Sequence, residues 1–146
     1  MIKRIYDSVD KHIEREQQKI LQAEKQRAAM KNFKASDHFN IGDIVVNSWG
    51  YEQTNVEFYQ VIEVLNKKIR VRQIKSDLVS AVGSMSGKVM PLKDEFLDGD
   101  DDEILLLSLK ADIYTNGDIK ARICDPKRFY NFRKWDGQPE YCSWYY

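Results

Sequence analysis

The stretch Gly42–Val61, GDIVVNSWGYEQTNVEFYQV, decides the fold. Ile41-Gly42-Asp43 is a turn that enters a β-branched strand, Ile44-Val45-Val46. Trp49-Gly50-Tyr51 reads as a bend, because Gly50 accepts backbone angles that Trp and Tyr resist. Residues 56–65, VEFYQVIEVL, then alternate with the period of a strand. Val56, Phe58, Ile62 and Val64 share one face, interrupted by Gln60; Glu57, Tyr59, Val61, Glu63 and Leu65 share the other.

Downstream the same grammar repeats. Asn66-Lys67 is a hairpin turn, and the return strand KIRVRQI places Ile69 and Val71 inward with Lys68, Arg70 and Arg72 outward. Residues 78–92 read as two short strands broken by Gly83-Ser84-Met85-Ser86-Gly87, with Pro91 ending the second or setting it at an edge. Ile104–Leu109, ILLLSL, is apolar at both parities and predicts a strand buried on both faces. Asn116-Gly117 predicts a type I′ hairpin turn, followed by a strand with Ile119, Ala121 and Ile123 on one side and Lys120 and Arg122 on the other. The tail KRFYNFRKWDGQPEYCSWYY turns at Asp136-Gly137-Gln138-Pro139 and is too apolar for a free terminus.

Upstream the pattern is helical. No Gly or Pro precedes Gly42, and Ala, Gln, Glu, Lys and Arg dominate. Ile2, Ile5, Val9, Ile13 and Ile20 form a narrow apolar stripe, closer to a seam than to a broad buried face. Such a helix packs on its own domain or pairs with a second copy of the chain as a homodimer. The fold expected is therefore α+β: an N-terminal charged helix over 1–36, then over 37–146 a small, strongly bent antiparallel sheet or SH3-like small β-barrel with an aromatic C-terminal tail.

Composition narrows the function. The chain has 146 residues, 42% hydrophobic and 32% charged, enough apolar content for a core. Its 23 basic and 23 acidic residues cancel, so a globally basic nucleic-acid binder is excluded and only a local patch could serve. The charge is segregated: residues 93–103, KDEFLDGDDDE, carry −6, and the rest is mildly basic. Asp98, Asp100, Asp101, Asp102 and Glu103 lack the spacing of a calcium loop, with its alternating oxygens, central Gly and Glu at the twelfth place, so no metal is expected there. They read as a solvated guard beside an apolar strand, or as a phosphate-mimicking surface for a host nucleic-acid-processing protein. Two cysteines, Cys124 and Cys142, are too few for a disulfide scaffold, and no apolar run nears the roughly 20 residues of a membrane span. A soluble, cytoplasmic protein of a bacterial host is expected, without membrane contact.

Catalysis is not expected. His12 and His38 belong to no zinc spacing, GSMSG is neither a phosphate loop nor a nucleophile elbow, and no cofactor motif occurs. A small metal-dependent hydrolase would need Asp43, Asp94 or Glu95 to converge near Lys93. Of 17 aromatic residues, four lie in 49–59 and eight in 129–146. If these windows meet, Trp49, Tyr51, Trp135, Tyr141 and Trp144 form a core cluster, or the rings, Tyr59 with them, serve as stacking platforms for bases. Gln53, Thr54 and Asn55 supply hydrogen-bonding groups beside them, and Lys68, Arg70, Arg72, Lys120 and Arg122 supply cations for phosphate.

These residues also carry a resemblance. Gly42-Asp43, Ser48-Trp49-Gly50-Tyr51, Gln53-Thr54-Asn55 and Phe58-Tyr59-Gln60-Val61 resemble the motif of an uncharacterised family of small proteins encoded on phages, plasmids and related mobile elements. Weaker echoes fall on Gly87, Val89, Pro91, Lys93 and Asp94, and on Trp135-Asp136-Gly137. The resemblance implies a mobile-element origin and a role against host defences. It supplies no catalytic residue. The function expected is non-enzymatic binding, with nucleic acid as first partner and inhibition of a host CRISPR or restriction nuclease as the alternative.

Overall fold

A computed structural model describes residues 2–50, 53–83, 85–99, 102–124 and 132–144. The helix α1 spans Ile2–Asn32, close to the expected boundary, and a single 3-10 turn follows at Ala35–Asp37. Among the described residues eight strands come next: β1 Ile44–Trp49, β2 Asn55–Val64, β3 Lys68–Gly83, β4 Ser86–Phe96, β5 Ile104–Ile113, β6 Ile119–Cys124, β7 Phe132–Lys134 and β8 Glu140–Ser143. They form one antiparallel sheet in the order β6-β5-β3-β2-β1-β7, with β4 on β3 and β8 on β4. The sheet curls into the nearly closed small barrel that the strand spacing predicts.

The curl comes from irregularities in the longest hairpin. β3 pairs with β5 over Lys68–Arg72, and its pairing with β4 continues to Gly83↔Ser86. Between Ile74↔Phe96 and Ser76↔Pro91 the register jumps, leaving extra residues on β4. Such bulges bend a strand and raise its twist. The break expected within residues 83–87 is where β3 ends and β4 begins, but both strands run longer than expected, because the bulges hide their alternation from a period-two reading. Pro91 does not end β4; it sits beside the bulge, beyond the last β8 partner at Val89.

β2 is covered on both faces. Phe58, Ile44, Val46 and Ile74 form one cluster, joined by Val56, Val89, Phe96 and Trp135. Tyr59, Val61, Val71 and Leu105 follow the same cross-strand register on the opposite face and are buried as well. Ile62 is the extra residue at the Val61/Glu63 register shift, so the expected alternation fails at that point. Two further expectations are corrected. Leu105, Leu107 and Leu109 are buried, but Ile104 and Leu106 are exposed, so β5 buries one face only. At the Asn116-Gly117 turn only Gly117 has positive φ (+89°), with Gly117 N–H donating to Tyr114 O and Tyr114 N–H to Asp118 O. That is a type I turn closed by a left-handed glycine, not type I′.

The chain divides into two compact units. One holds the helix through Phe33 together with Ala111–Lys120; the other holds Lys34–Lys110 and the chain from Ala121 on. The hairpin tip thus groups with the helix. In the first unit, Gln26 Nε2 donates to Ala111 O (2.7 Å) and Ala111 N–H to Met30 Sδ (3.1 Å). Residues 7–25 of α1 are exposed, among them Val9, Ile13 and Ile20 of the apolar stripe. Among the described residues no helix is long and apolar enough to cross a membrane.

Candidate functional site

The residues singled out by sequence do not form one site. β1 runs from Ile44 to Trp49, roughly 17 Å at about 3.4 Å per residue. Trp49 marks one end; Trp135, whose N–H donates to Ile44 O, marks the other. Tyr51, Asp100 and Asp101 lie outside the described residues.

At the Trp49 end the polar cluster serves the fold. Gln53 Nε2 donates to Asn55 Oδ1 (2.8 Å), Thr54 N–H to Ser143 Oγ (2.7 Å), and Ser143 N–H to Thr54 O (3.0 Å). The two Thr54–Ser143 bonds tie the entry to β2 to β8. Gly50 has φ +134°, and a Cβ there would lie 1.7 Å from Gln53 O, so only glycine fits. Trp49 is 41% exposed and Tyr141 50%, which leaves both partly open to solvent.

Tyr59 departs from expectation. It is 0% exposed, so its ring cannot be a surface platform for a base. The ring packs edge-on against Phe132, with centroids 5.3 Å apart. Its hydroxyl lies 3.0 Å from Glu57 Oε2 and 3.1 Å from Glu103 Oε2. Burial raises the Glu57 carboxyl above its ordinary range; the Tyr59 hydrogen bond lowers it, and the nearby Glu103 charge raises it again. Burial and the same two carboxylates push the phenol far up, so Tyr59 stays protonated.

The expected phosphate cations are largely occupied. Arg72 makes a two-pronged pair with Asp102 (2.8 and 3.1 Å) and stacks 4.6 Å over the Phe96 ring. Arg70 Nε donates to Glu63 Oε2 (3.1 Å). Lys68 and Arg122 are exposed on β3 and β6, and Lys120 Nζ sits 4.9 Å over the Tyr114 ring in the helical unit. The acidic stretch is partly spent on the same bonds: Asp102 faces Arg72 and Glu103 faces Tyr59, while Asp98 is exposed.

A different concavity gathers separated segments. A cleft of about 360 Å³ is lined by Gly42, Asp43, Ile44, Lys93, Lys134, Trp135, Asp136 and Gly137. Gly42 has φ +98°, which favours glycine, and Lys93 Cε and Nζ lie 3.4 Å from where a Cβ would stand. Lys134 Nζ donates to His38 O (2.9 Å) and lies 3.5 Å from Asp43 Oδ2, which also accepts from Asn40 N–H. The Trp135 indole is fixed from two sides: Nε1 donates to Gln138 O (2.7 Å), and the ring stands edge-on to Phe58 at 6.3 Å. Asp136 Oδ1 accepts Gln138 N–H and holds the turn, with Gly137 at φ +87°. Next to Lys93, Asp94 adopts φ +67°, held by buried Gln60: Asp94 N–H donates to Oε1 and Gln60 Nε2 donates to Oδ1, both at 2.8 Å.

Lys134 is the residue that sequence reasoning missed, because nothing near it marks it apart from other surface lysines. In the sequence Lys93 and Asp43 stand out as parts of a hydrolase constellation and of the mobile-element resemblance, not as neighbours of Trp135. Among the described residues no three His, Cys, Asp or Glu side chains gather as metal ligands. Burial raises the Cys142 thiol, against a hydrogen bond with the Gly87 backbone, which disfavours the thiolate. Comparison with family models, with curated proteins and with solved structures finds no match to this chain.

Proposed function

We propose that this chain is a non-enzymatic binding protein of mobile-element origin, and that its barrel takes nucleic acid at the Trp135 cleft. One observation carries the reading: Gly42-Asp43, Lys93 and Lys134-Trp135-Asp136-Gly137, far apart in sequence, line one concavity of about 360 Å³. That volume lies within the range of small-ligand sites. A locked indole is suited to a base, and the Lys93 and Lys134 ammonium groups beside it are suited to the attached phosphate. The acidic stretch supports a phosphate-mimicking role less well, because Asp102 and Glu103 are turned onto Arg72 and Tyr59.

The test is fluorescence polarisation with labelled single-stranded DNA and RNA across a salt series, read alongside quenching of tryptophan emission. Binding should weaken as salt rises, and Lys93→Glu should weaken it about tenfold or more at low salt. Absence of binding, or affinity indifferent to salt and to Lys93→Glu, would overturn the reading.

A further inference from the structure

The exposed helix presents a surface with a definite register. Val9, Ile13 and Ile20 are exposed on α1 at 50%, 47% and 57%. Positions 9, 13, 16, 20 and 23 advance by four, three, four and three, which is one stripe of a seven-residue repeat. Ile13 and Ile20 take its first core position (a); Val9, Glu16 and Ala23 take its second (d). Glu16 alone is charged, and Lys19 Nζ lies 3.6 Å from its Oε1. Leu21 falls one step outside the stripe.

The flanks say what covers the seam. Lys19 precedes an a position and Glu24 follows a d position. In a parallel, in-register pair of such helices these flanks meet across the interface, so Lys19 of each copy faces Glu24 of the other, twice by symmetry. An antiparallel pair centred on Gln17 would instead set Asp10 against Glu24, two like charges. We propose that α1 is a dimerisation element: a second copy of this chain pairs with it as a parallel coiled coil along Val9–Ala23. Dimerisation is independent of what the barrel binds.

Sedimentation velocity on the full chain over a dilution series tests this. The wild type should show twice the mass of one chain and dissociate on dilution. Ile13→Lys with Ile20→Lys should give a monomer with an unchanged near-ultraviolet spectrum from the barrel aromatics. Glu16→Leu, which replaces a like-charge contact by an apolar one, should tighten the dimer about tenfold or more. Ala23→Cys should form an interchain disulfide on oxidation that the wild type does not form. A monomer for both wild type and Glu16→Leu at the highest concentration would overturn the proposal. So would a dimer indifferent to the double lysine variant, and failure of Ala23→Cys to cross-link a proven dimer would overturn the parallel arrangement.

Discussion

Strand β2 and helix α1 sit at opposite ends of the burial scale. Phe58, Tyr59, Gln60 and Val61 are consecutive and all buried, whereas α1 is exposed from residue 7 to residue 25. Yet the apolar periodicity of the helix is the more regular of the two. An apolar stripe shows that a face seeks cover; it does not show whether the same chain provides it. β2 finds its cover within the barrel, on both faces. The helix keeps Val9, Ile13 and Ile20 available to something else.

The contrast can be broken most sharply by truncating one apolar side chain in each region. Phe58→Ala should cost about 3–5 kcal/mol in urea unfolding, because it opens a cavity under Trp135 and Ile74. Ile13→Ala should leave the near-ultraviolet spectrum of the barrel unchanged, and a shift there would mean that the helix seam belongs to the barrel core. A smaller effect tests the buried polar residue of β2. Gln60→Ala removes both bonds to Asp94 and should cost about 1–3 kcal/mol; a neutral result would show that the bulge beside Lys93 holds itself.

The smallest effect concerns Glu57, whose carboxyl is raised in the folded state by burial, against the Tyr59 hydrogen bond and with the Glu103 charge. A raised carboxyl binds its proton more tightly folded than unfolded. Its contribution is therefore most favourable below the unfolded carboxylate range and is lost as pH rises through the folded value. Glu57→Gln keeps an acceptor for Tyr59 and removes the charge, so it should raise Tm at pH 7 and flatten the Tm profile on acidification. Thermal melts from pH 4 to 8 check this, and a variant less stable than wild type at pH 7 would refute it.

Much of the fold was legible in local pattern. The Gly-free, Pro-free start marked the helix, and period-two alternation from Ile44 to Ile74 marked the hairpins, because each rests on neighbours in sequence. Bulges were not legible. The extra residues at Ile62 and between Pro91 and Phe96 shift the parity of the strands they interrupt, so Ile62 lost its expected place and the β3–β4 ribbon looked like fragments. The candidate site was legible in parts. Gly42-Asp43 belonged to the main motif of the family resemblance, and Lys93, Asp94 and Trp135-Asp136-Gly137 to its weaker echoes, but nothing placed them beside one another.

Composition and spacing alone determined a helix followed by a small barrel, zero net charge and the absence of familiar catalytic spacings. Tertiary structure decided which charged and aromatic groups remain for a partner. Arg72 looks outward by strand parity and is spent on Asp102; Tyr59 reads as a platform and lies sealed between two carboxylates; Lys93 comes to rest beside Trp135. Side-chain parity is a property of one strand. A pairing partner is brought by a distant segment, and only the closing of the sheet sets that distance.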